Sequence, residues 1–372
     1  MRFRLARGHL AAVYALGVAG AFLQIAGGTW DVASHIVNTP ETFLTPQHSV
    51  LYAGIVLALG ASGLGLLLRW GPMPKGSADR PLLGGLLVSG IGGGLQLVAG
   101  PFDLWWHETY GFDPHLLTPS HSLLIAGIVL TAFGMALGSV RLLEAHRRGA
   151  APGGRFATPR ALTALVVLAL AALWMALNGL LYLLLDADGW AYTFRLGPAF
   201  VDAVQGPLFL AATALLAGPG TLVLLTATRL LPDRRTVAAI PLLVVGTGAL
   251  GNVGFRAFIL LGRGDPDGAA LTAFLPLYLA FIVPILLFVL FLPEGPPRLL
   301  LLGAALVGPF VSFVDGFYSS VLWTSVAEDV PLVLGTAALV GLLAGLTRVR
   351  FARILSGPTL PAPAPTPARP SP

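Results

Sequence analysis

Five of the seven histidines lie in two segments of the chain, and each segment also carries an aspartate at a helical spacing. In the first segment, Asp31 and His35 are four residues apart, so in an α-helix both side chains leave the same face, about 6 Å apart along the axis. His48 follows behind Thr45-Pro46, a pair typical of a helix N-cap and the first helical residue. We therefore predict that one carboxylate and two imidazoles meet, a ligand set that suits copper, zinc or non-haem iron.

The second segment repeats this arrangement with Asp103, His107 and, behind Thr118-Pro119, His121. In both segments the last histidine falls in the first turn of a predicted helix, where the positive end of the helix dipole disfavours a charged imidazole. A metal requires the neutral form of the ring. The two segments therefore predict two metal sites, each with an open position for water or substrate.

The sequence around these ligands is duplicated. Gln24 and Gln96 each precede their aspartate by seven residues, and we predict that they orient the ligands by hydrogen bonding. Thr45–Leu57 and Thr118–Leu130 are identical at ten of thirteen positions. Each unit is a helix, a loop and a returning helix that begins on the same side of the membrane, which predicts a tandem parallel repeat of helix hairpins.

The segments that hold these residues are strongly apolar. Of the 372 residues, 56% are hydrophobic and 10% are charged, whereas about a quarter of the residues in a soluble protein are charged. Because the bilayer core offers no partner to unpaired backbone groups, apolar runs of about 20 residues cross it as helices. The predicted fold class is therefore all-α, a polytopic membrane helix bundle. The absence of cysteine excludes disulfides and thiolate metal sites.

The chain is predicted to cross the membrane about ten times, at residues 9–30, 47–69, 81–103, 119–141, 160–185, 200–229, 236–262, 270–292, 298–321 and 330–347. Basic residues occupy nearly every second connection, which places both termini in the cytoplasm and both metal sites on the outer side. These membrane-flanking cations account for the net charge of +5, so we expect contacts with lipid and none with nucleic acid. High arginine usage is typical of a bacterial genome rich in GC, which predicts the bacterial cytoplasmic membrane.

Three regions are predicted along the chain. Residues 1–145 form a duplicated metal-binding hairpin module, and residues 146–355 form an additional transmembrane helix bundle. Residues 356–372 are rich in proline and alanine and are predicted to be disordered.

The two motifs, Asp31-x3-His35-x12-His48 and Asp103-x3-His107-x13-His121, resemble the paired copper motifs in the C subunit of copper membrane monooxygenases. That family comprises the particulate methane and ammonia monooxygenases and their hydrocarbon relatives. In it, D-x3-H-x12-H is followed by N-x3-H-x13-H, and both spacings occur here within about the first 140 residues. The resemblance implies copper at both sites, oxidation of a small apolar substrate by dioxygen, and partner membrane subunits or an oligomer. Here an aspartate replaces the asparagine, and about six further predicted helices follow.

Two functions stay open from the sequence. A copper-dependent, monooxygenase-like enzyme would oxidise a small apolar substrate that arrives through the lipid, with Trp30, Trp105 and Trp106 shaping the pocket. A non-enzymatic copper or zinc handling protein, either a transporter or an accessory factor, would use the outer sites to capture metal. The later helices contain no histidine, so a relay of ligands across the bilayer has little support. Haem ligation by His35 and His107 would leave the paired aspartates unexplained.

Overall fold

Nearly all of the described residues are helical. A computed structural model describes residues 7–36, 42–69, 80–111, 117–149, 157–184, 187–263, 275–291, 303 and 321–357. Within these ranges no strand occurs, which confirms the predicted all-α class. The helices are α1 (Arg7–Ile36), α2 (Pro46–Arg69), α3 (Arg80–Tyr110), α4 (Pro119–Arg147), α5 (Pro159–Leu184), α6 (Ala187–Phe194), α7 (Pro198–Leu230), α8 (Arg234–Arg263), α9 (Leu275–Phe291) and α10 (Val321–Ser356).

Five segments among the described helices are long and apolar enough to cross a membrane: His9–Asp31, Pro46–Leu67, Arg80–Tyr110, Pro119–Arg147 and Pro159–Leu181. Their mean hydropathies lie between 1.7 and 2.3. The chain therefore has the helices of a multi-pass membrane protein. Helices α7 to α10 overlap four further predicted spans, and their crossing of the bilayer stays a prediction. The predicted span at 298–321 lies outside the described residues except at its end and at residue 303.

The first four helices form two antiparallel hairpins, α1 with α2 and α3 with α4. In each hairpin, the two helix backbones approach one another closely at a pair of glycines. A β-carbon on Gly20 would lie 2.8 Å from the Gly54 carbonyl oxygen, and one on Gly92 would lie 2.6 Å from the Gly127 carbonyl oxygen. Only glycine permits backbones to approach this closely. The two close contacts fall at positions that correspond in the duplicated sequence.

Corresponding positions also meet where one hairpin packs against the other. Gly65 of α2 lies against the side chain of Leu86 of α3, and Gly138 of α4 lies against the ring of Tyr14 of α1. The Tyr14 hydroxyl donates a hydrogen bond to the Leu82 carbonyl oxygen, which gives this buried phenol a partner. The four helices therefore form one bundle in which α2 packs on α3 and α4 packs on α1.

The later helices extend the same apolar core. Helix α5 packs against α1, α4, α7 and α8, and its Leu162, Leu170 and Leu173 are almost completely buried. Buried side chains from α1 to α5 and from α7 to α10 form one continuous cluster. The predicted boundary between residues 145 and 146 falls inside the last turn of α4, which contributes to this cluster.

The two ends of the bundle differ in character. At one end, Arg141 of α4 donates to the carbonyl oxygens of Pro81, at 2.9 Å, and Ile354, at 3.3 Å. The start of α3 and the ends of α4 and α10 therefore lie together at an end rich in arginine. At the opposite end, the Thr193 hydroxyl of α6 donates to the Leu117 carbonyl oxygen, just before α4 begins. Sequence patterns did not predict α6, because a helix of eight residues is far shorter than a span.

Candidate metal centre

The structure brings Asp103, His107 and His121 together at the end of the bundle opposite the arginines. The Nε2 atom of His107 lies 3.5 Å from Asp103 Oδ2, and the Nε2 atom of His121 lies 3.3 Å from Asp103 Oδ1. One ligand atom from each of the three residues lies within 4.8 Å of the other two. A tetrahedral metal held at about 2.1 Å separates its ligand atoms by about 3.4 Å. The two contacts that include Asp103 therefore lie close to the separation that a small cation requires.

Two local features of the sequence place these side chains. Asp103 and His107 are one turn apart in α3, so both leave the same face. Thr118 caps α4 with extended backbone angles and with Pro119 behind it, as predicted, and its Oγ1 accepts a hydrogen bond of 3.3 Å from the His121 backbone nitrogen. The cap fixes the first turn of α4, and with it the direction in which the His121 side chain leaves the helix.

In the first hairpin the structure brings Asp31 and His48 together. His48 Nε2 lies 2.9 Å from Asp31 Oδ1, and His48 Nδ1 lies 2.8 Å from the Thr42 carbonyl oxygen. Because a carbonyl oxygen can only accept, Nδ1 carries a hydrogen and Nε2 is directed at the carboxylate. Either a protonated ring or a metal cation held by both side chains satisfies both contacts.

The third predicted ligand of the first hairpin, His35, lies in α1 one turn beyond Asp31. Its side chain is outside the part of the structure that is described. Its participation in a first metal site therefore stays a prediction. The segment 112–116, between α3 and α4, is likewise outside the described residues.

Backbone carbonyl groups hold two of the imidazole rings. Thr42 O lies 2.8 Å from His48 Nδ1, and Gly111 O lies 3.4 Å from His107 Nδ1. Metal-binding histidines usually donate their second ring N–H in this way, which fixes the tautomer and turns the other nitrogen toward the metal. Sequence reasoning missed these partners, because every residue has a carbonyl group and residue type carries no signal for it.

The two glutamines predicted to orient the ligands are fully buried, and their hydrogen bonds join the helices to one another. Gln24 Nε2 donates to the Gly54 carbonyl oxygen at 3.1 Å. Gln96 Nε2 lies 3.0 Å from Thr131 Oγ1 and 3.2 Å from Gln24 Oε1. Their predicted role in orienting Asp31 or Asp103 stays a prediction.

One buried oxygen among the predicted ligand side chains has the environment of a cation ligand. Asp103 Oδ1 is inaccessible to solvent and accepts no hydrogen bond from any described group, although His121 Nε2 lies 3.3 Å away. A buried carboxylate oxygen without a hydrogen bond is costly, and a metal ligated by Asp103 and His121 would compensate it. The residues present therefore fit a divalent or monovalent transition metal.

Four aromatic side chains lie in the same turns of α3 as the two predicted ligands that this helix carries. Phe102 stacks on Trp105 with a centroid separation of 5.7 Å, and Trp106 packs on Tyr110 at 4.5 Å. Trp105 and Tyr110 are about half exposed. Tryptophan and tyrosine favour the boundary between membrane and water, so this end of α3 has the composition of a helix end at that boundary.

No family model, curated protein or solved structure matches this chain. The resemblance to the copper membrane monooxygenases therefore depends on the spacing of the six predicted ligands alone.

Proposed function

We propose that this chain is a copper-binding protein of the bacterial cytoplasmic membrane that uses dioxygen to oxidise a small apolar substrate. The observation that supports this best is the convergence of Asp103, His107 and His121 at one end of the bundle. A second, corresponding site is proposed at Asp31, His35 and His48, of which Asp31 and His48 are in contact.

The ligand set by itself suits copper, zinc or non-haem iron. The motif spacing favours copper, since the family that it resembles holds copper at such sites. When bound, copper would supply the one-electron chemistry that dioxygen activation requires. The protein's part would be to hold the rings of His107 and His121 by the Gly111 carbonyl group and the Thr118 cap.

Several contacts support the proposal that the two hairpins are tandem parallel repeats. Gly20 meets Gly54 as Gly92 meets Gly127, at matching places in the duplicated sequence. The corresponding residues Gln24 and Gln96 contact one another. Two units related by a two-fold axis along the membrane normal would make these contacts in pairs and would place both sites at one depth.

The proposed orientation follows from the two ends of the bundle. Arg141 links the start of α3 and the ends of α4 and α10 at the arginine-rich end of the bundle. We assign this end to the cytoplasm by the positive-inside rule. The metal centre, at the other end, would then face the periplasm. The exposed Leu104 and Trp105 beside it would give a small apolar substrate a route from the lipid.

A non-enzymatic role in copper or zinc handling is the second candidate. The side chains of Asp103 and His107 keep 18% and 21% of their surface accessible. A site that is open in this way can take up metal directly from water, which an accessory factor would require.

Metal content of the purified full-length protein tests the proposed site. We expect bound copper in the native protein and its loss from the second site in His121→Ala, with His146→Ala, at the opposite end of α4, as the matched control. Loss of copper in both variants, or in neither, would contradict the assignment. The copper-loaded native protein is then incubated with small hydrocarbons or ammonia. Formation of an oxygen-dependent product would favour the enzymatic function over the metal-handling function.

A further inference from the structure

A cleft at the arginine-rich end of the bundle lies far from the metal centre. Its volume is about 730 Å³, and it is formed by the end of α4, the first half of α5 and the start of α8. Volumes between about 300 and 1,000 Å³ are typical of small-molecule sites. The walls carry apolar side chains, among them Leu143, Val167, Leu168, Ala239 and Leu243.

The mouth of this cleft carries cationic and hydrogen-bonding groups from His146, Arg147 and Arg160. Arg160 is exposed in the first turn of α5, where free backbone N–H groups add to the positive potential. His146 Nδ1 is buried and makes no hydrogen bond to any group in the described part of the chain. Arg147 is already in contact with Glu144 at 2.9 Å. Arg160 and His146 therefore have hydrogen-bonding capacity left for a ligand.

The carboxylate of Asp233 also lines the cleft, but its oxygens are engaged within its own helix end. One accepts from the Thr236 backbone nitrogen at 2.8 Å and the other from the Thr236 hydroxyl at 2.9 Å. The Asp233 carboxylate keeps its negative charge, but within the described residues it forms no ion pair with Arg160.

We propose that this cleft binds an anionic phospholipid, with its phosphate at Arg160 and His146 and an acyl chain along α5. Helices α4 and α5 are both apolar enough to cross the membrane, so the cleft opens where lipid is the surrounding medium. Basic pockets between such helices recognise the headgroups of anionic lipids. A soluble anion would bind the cationic groups at the mouth, but it would leave the apolar walls of the cleft without a contact.

Lipid binding to the full-length protein in neutral detergent tests this proposal by native mass spectrometry. Phosphatidylglycerol and phosphatidylcholine with identical acyl chains serve as the probes. We expect tighter binding of phosphatidylglycerol, weakened about fivefold by Arg160→Gln. Arg350→Gln, which removes an exposed arginine of α10 that does not line the cleft, is the matched control and leaves the affinity unchanged.

A second variant tests the apolar part of the cleft. Ala164 is exposed on α5 and lines the cleft, so Ala164→Trp fills it without disturbing the core. We expect this variant to lose phosphatidylglycerol binding, whereas Ala15→Trp, on the exposed face of α1, retains it.

Three results would overturn the proposal. Equal binding of the two lipids would show that the headgroup charge is not recognised. Unchanged affinity in both Arg160→Gln and Ala164→Trp would show that the lipid binds elsewhere. Displacement of the lipid by millimolar inorganic phosphate would assign the site to a soluble anion. Because copper content is expected to be unaffected by all of these variants, the outcome is independent of the proposed metal centre.

Discussion

Gln96 Nε2 lies 3.2 Å from Gln24 Oε1, although the two residues are 72 positions apart. Both side chains are buried, and they hold the same position in the two hairpins. A contact between corresponding residues arises where a two-fold axis passes between two units. The pair therefore links the two helices, α1 and α3, that carry the predicted ligands Asp31 and Asp103.

Replacement of Gln96 by Leu should destabilise the bundle. It would leave Gln24 Oε1 without this donor and remove the 3.0 Å contact with Thr131 Oγ1. We expect a loss of about 1–2 kcal/mol in the free energy of unfolding in detergent. A double-mutant cycle with Gln24→Leu should give a coupling energy of about 0.6 kcal/mol. Strictly additive losses would show that the two side chains do not interact.

The close helix contact at Gly92 predicts that even one methyl group is destabilising. A β-carbon there would lie 2.6 Å from the Gly127 carbonyl oxygen, so α3 and α4 must move apart in Gly92→Ala. We expect a loss of about 1–3 kcal/mol, measured by reversible unfolding. Gly94→Ala is the matched control, since among the described residues no atom beyond the adjoining backbone of α3 would lie within 4 Å of its β-carbon, and should be neutral or slightly stabilising. Equal stabilities of the two variants would refute the tight crossing.

The cap at Thr118 should affect metal binding as well as stability. Thr118→Val removes the acceptor for the His121 backbone nitrogen, which loosens the turn that carries the proposed ligand His121. We expect a loss of about 1 kcal/mol in stability and at least a tenfold loss in copper affinity.

Thr158→Val provides the matched control for the cap. Thr158 Oγ1 caps α5 by accepting from the Ala161 nitrogen at 3.2 Å, far from the metal centre. It should lose similar stability and keep the native copper affinity, measured by competition with a chelator. A fall in affinity in both variants would mean that Thr118 acts only through global stability.

The hydrogen-bonded carboxyl group of Asp233 should make the stability of the protein depend on pH in the acid range. Hydrogen bonds from the Thr236 backbone nitrogen and hydroxyl hold the pKa of this carboxyl below its usual value. The stabilisation is therefore complete above the unfolded-state pKa of about 3.9 and is lost as the pH falls through the lower folded-state pKa. We expect the melting temperature of Asp233→Ser, which keeps a cap that does not titrate, to fall less between pH 5 and 3 than that of the native protein. If the melting temperatures of the two proteins fall equally over this pH range, the Asp233 carboxyl makes no such contribution to stability.

Local features of the fold were predictable because they depend on neighbouring residues. The apolar runs indicated α1 to α5, and the Thr-Pro pairs placed the helix starts at Pro46 and Pro119, where the structure has them. The four-residue spacing of Asp103 and His107 put both on one face of α3. Each of these inferences needs only the helical period and the chemistry of a helix cap.

Other features depend on residues that are distant in sequence. No sequence pattern indicated the hydrogen bonds that Gln24 and Gln96 make with Gly54, Thr131 and one another, and their role in orienting the ligands stays a prediction. The docking of α6 beside the start of α4 also had no signal in the sequence. Hydropathy reports how a segment meets lipid, but it does not report which face of a helix meets which neighbour.

The sequence by itself determined that this is an all-helical membrane protein and that its predicted acidic and imidazole ligands come in two matched sets, because composition and spacing act within a few residues. Only the tertiary structure decided that Asp103, His107 and His121 converge, that carbonyl groups of Thr42 and Gly111 hold two of the rings, and that the two hairpins meet at Gln24 and Gln96. These contacts are set by the register in which glycine-lined helices pack, and that register follows from the shapes of all four helices together.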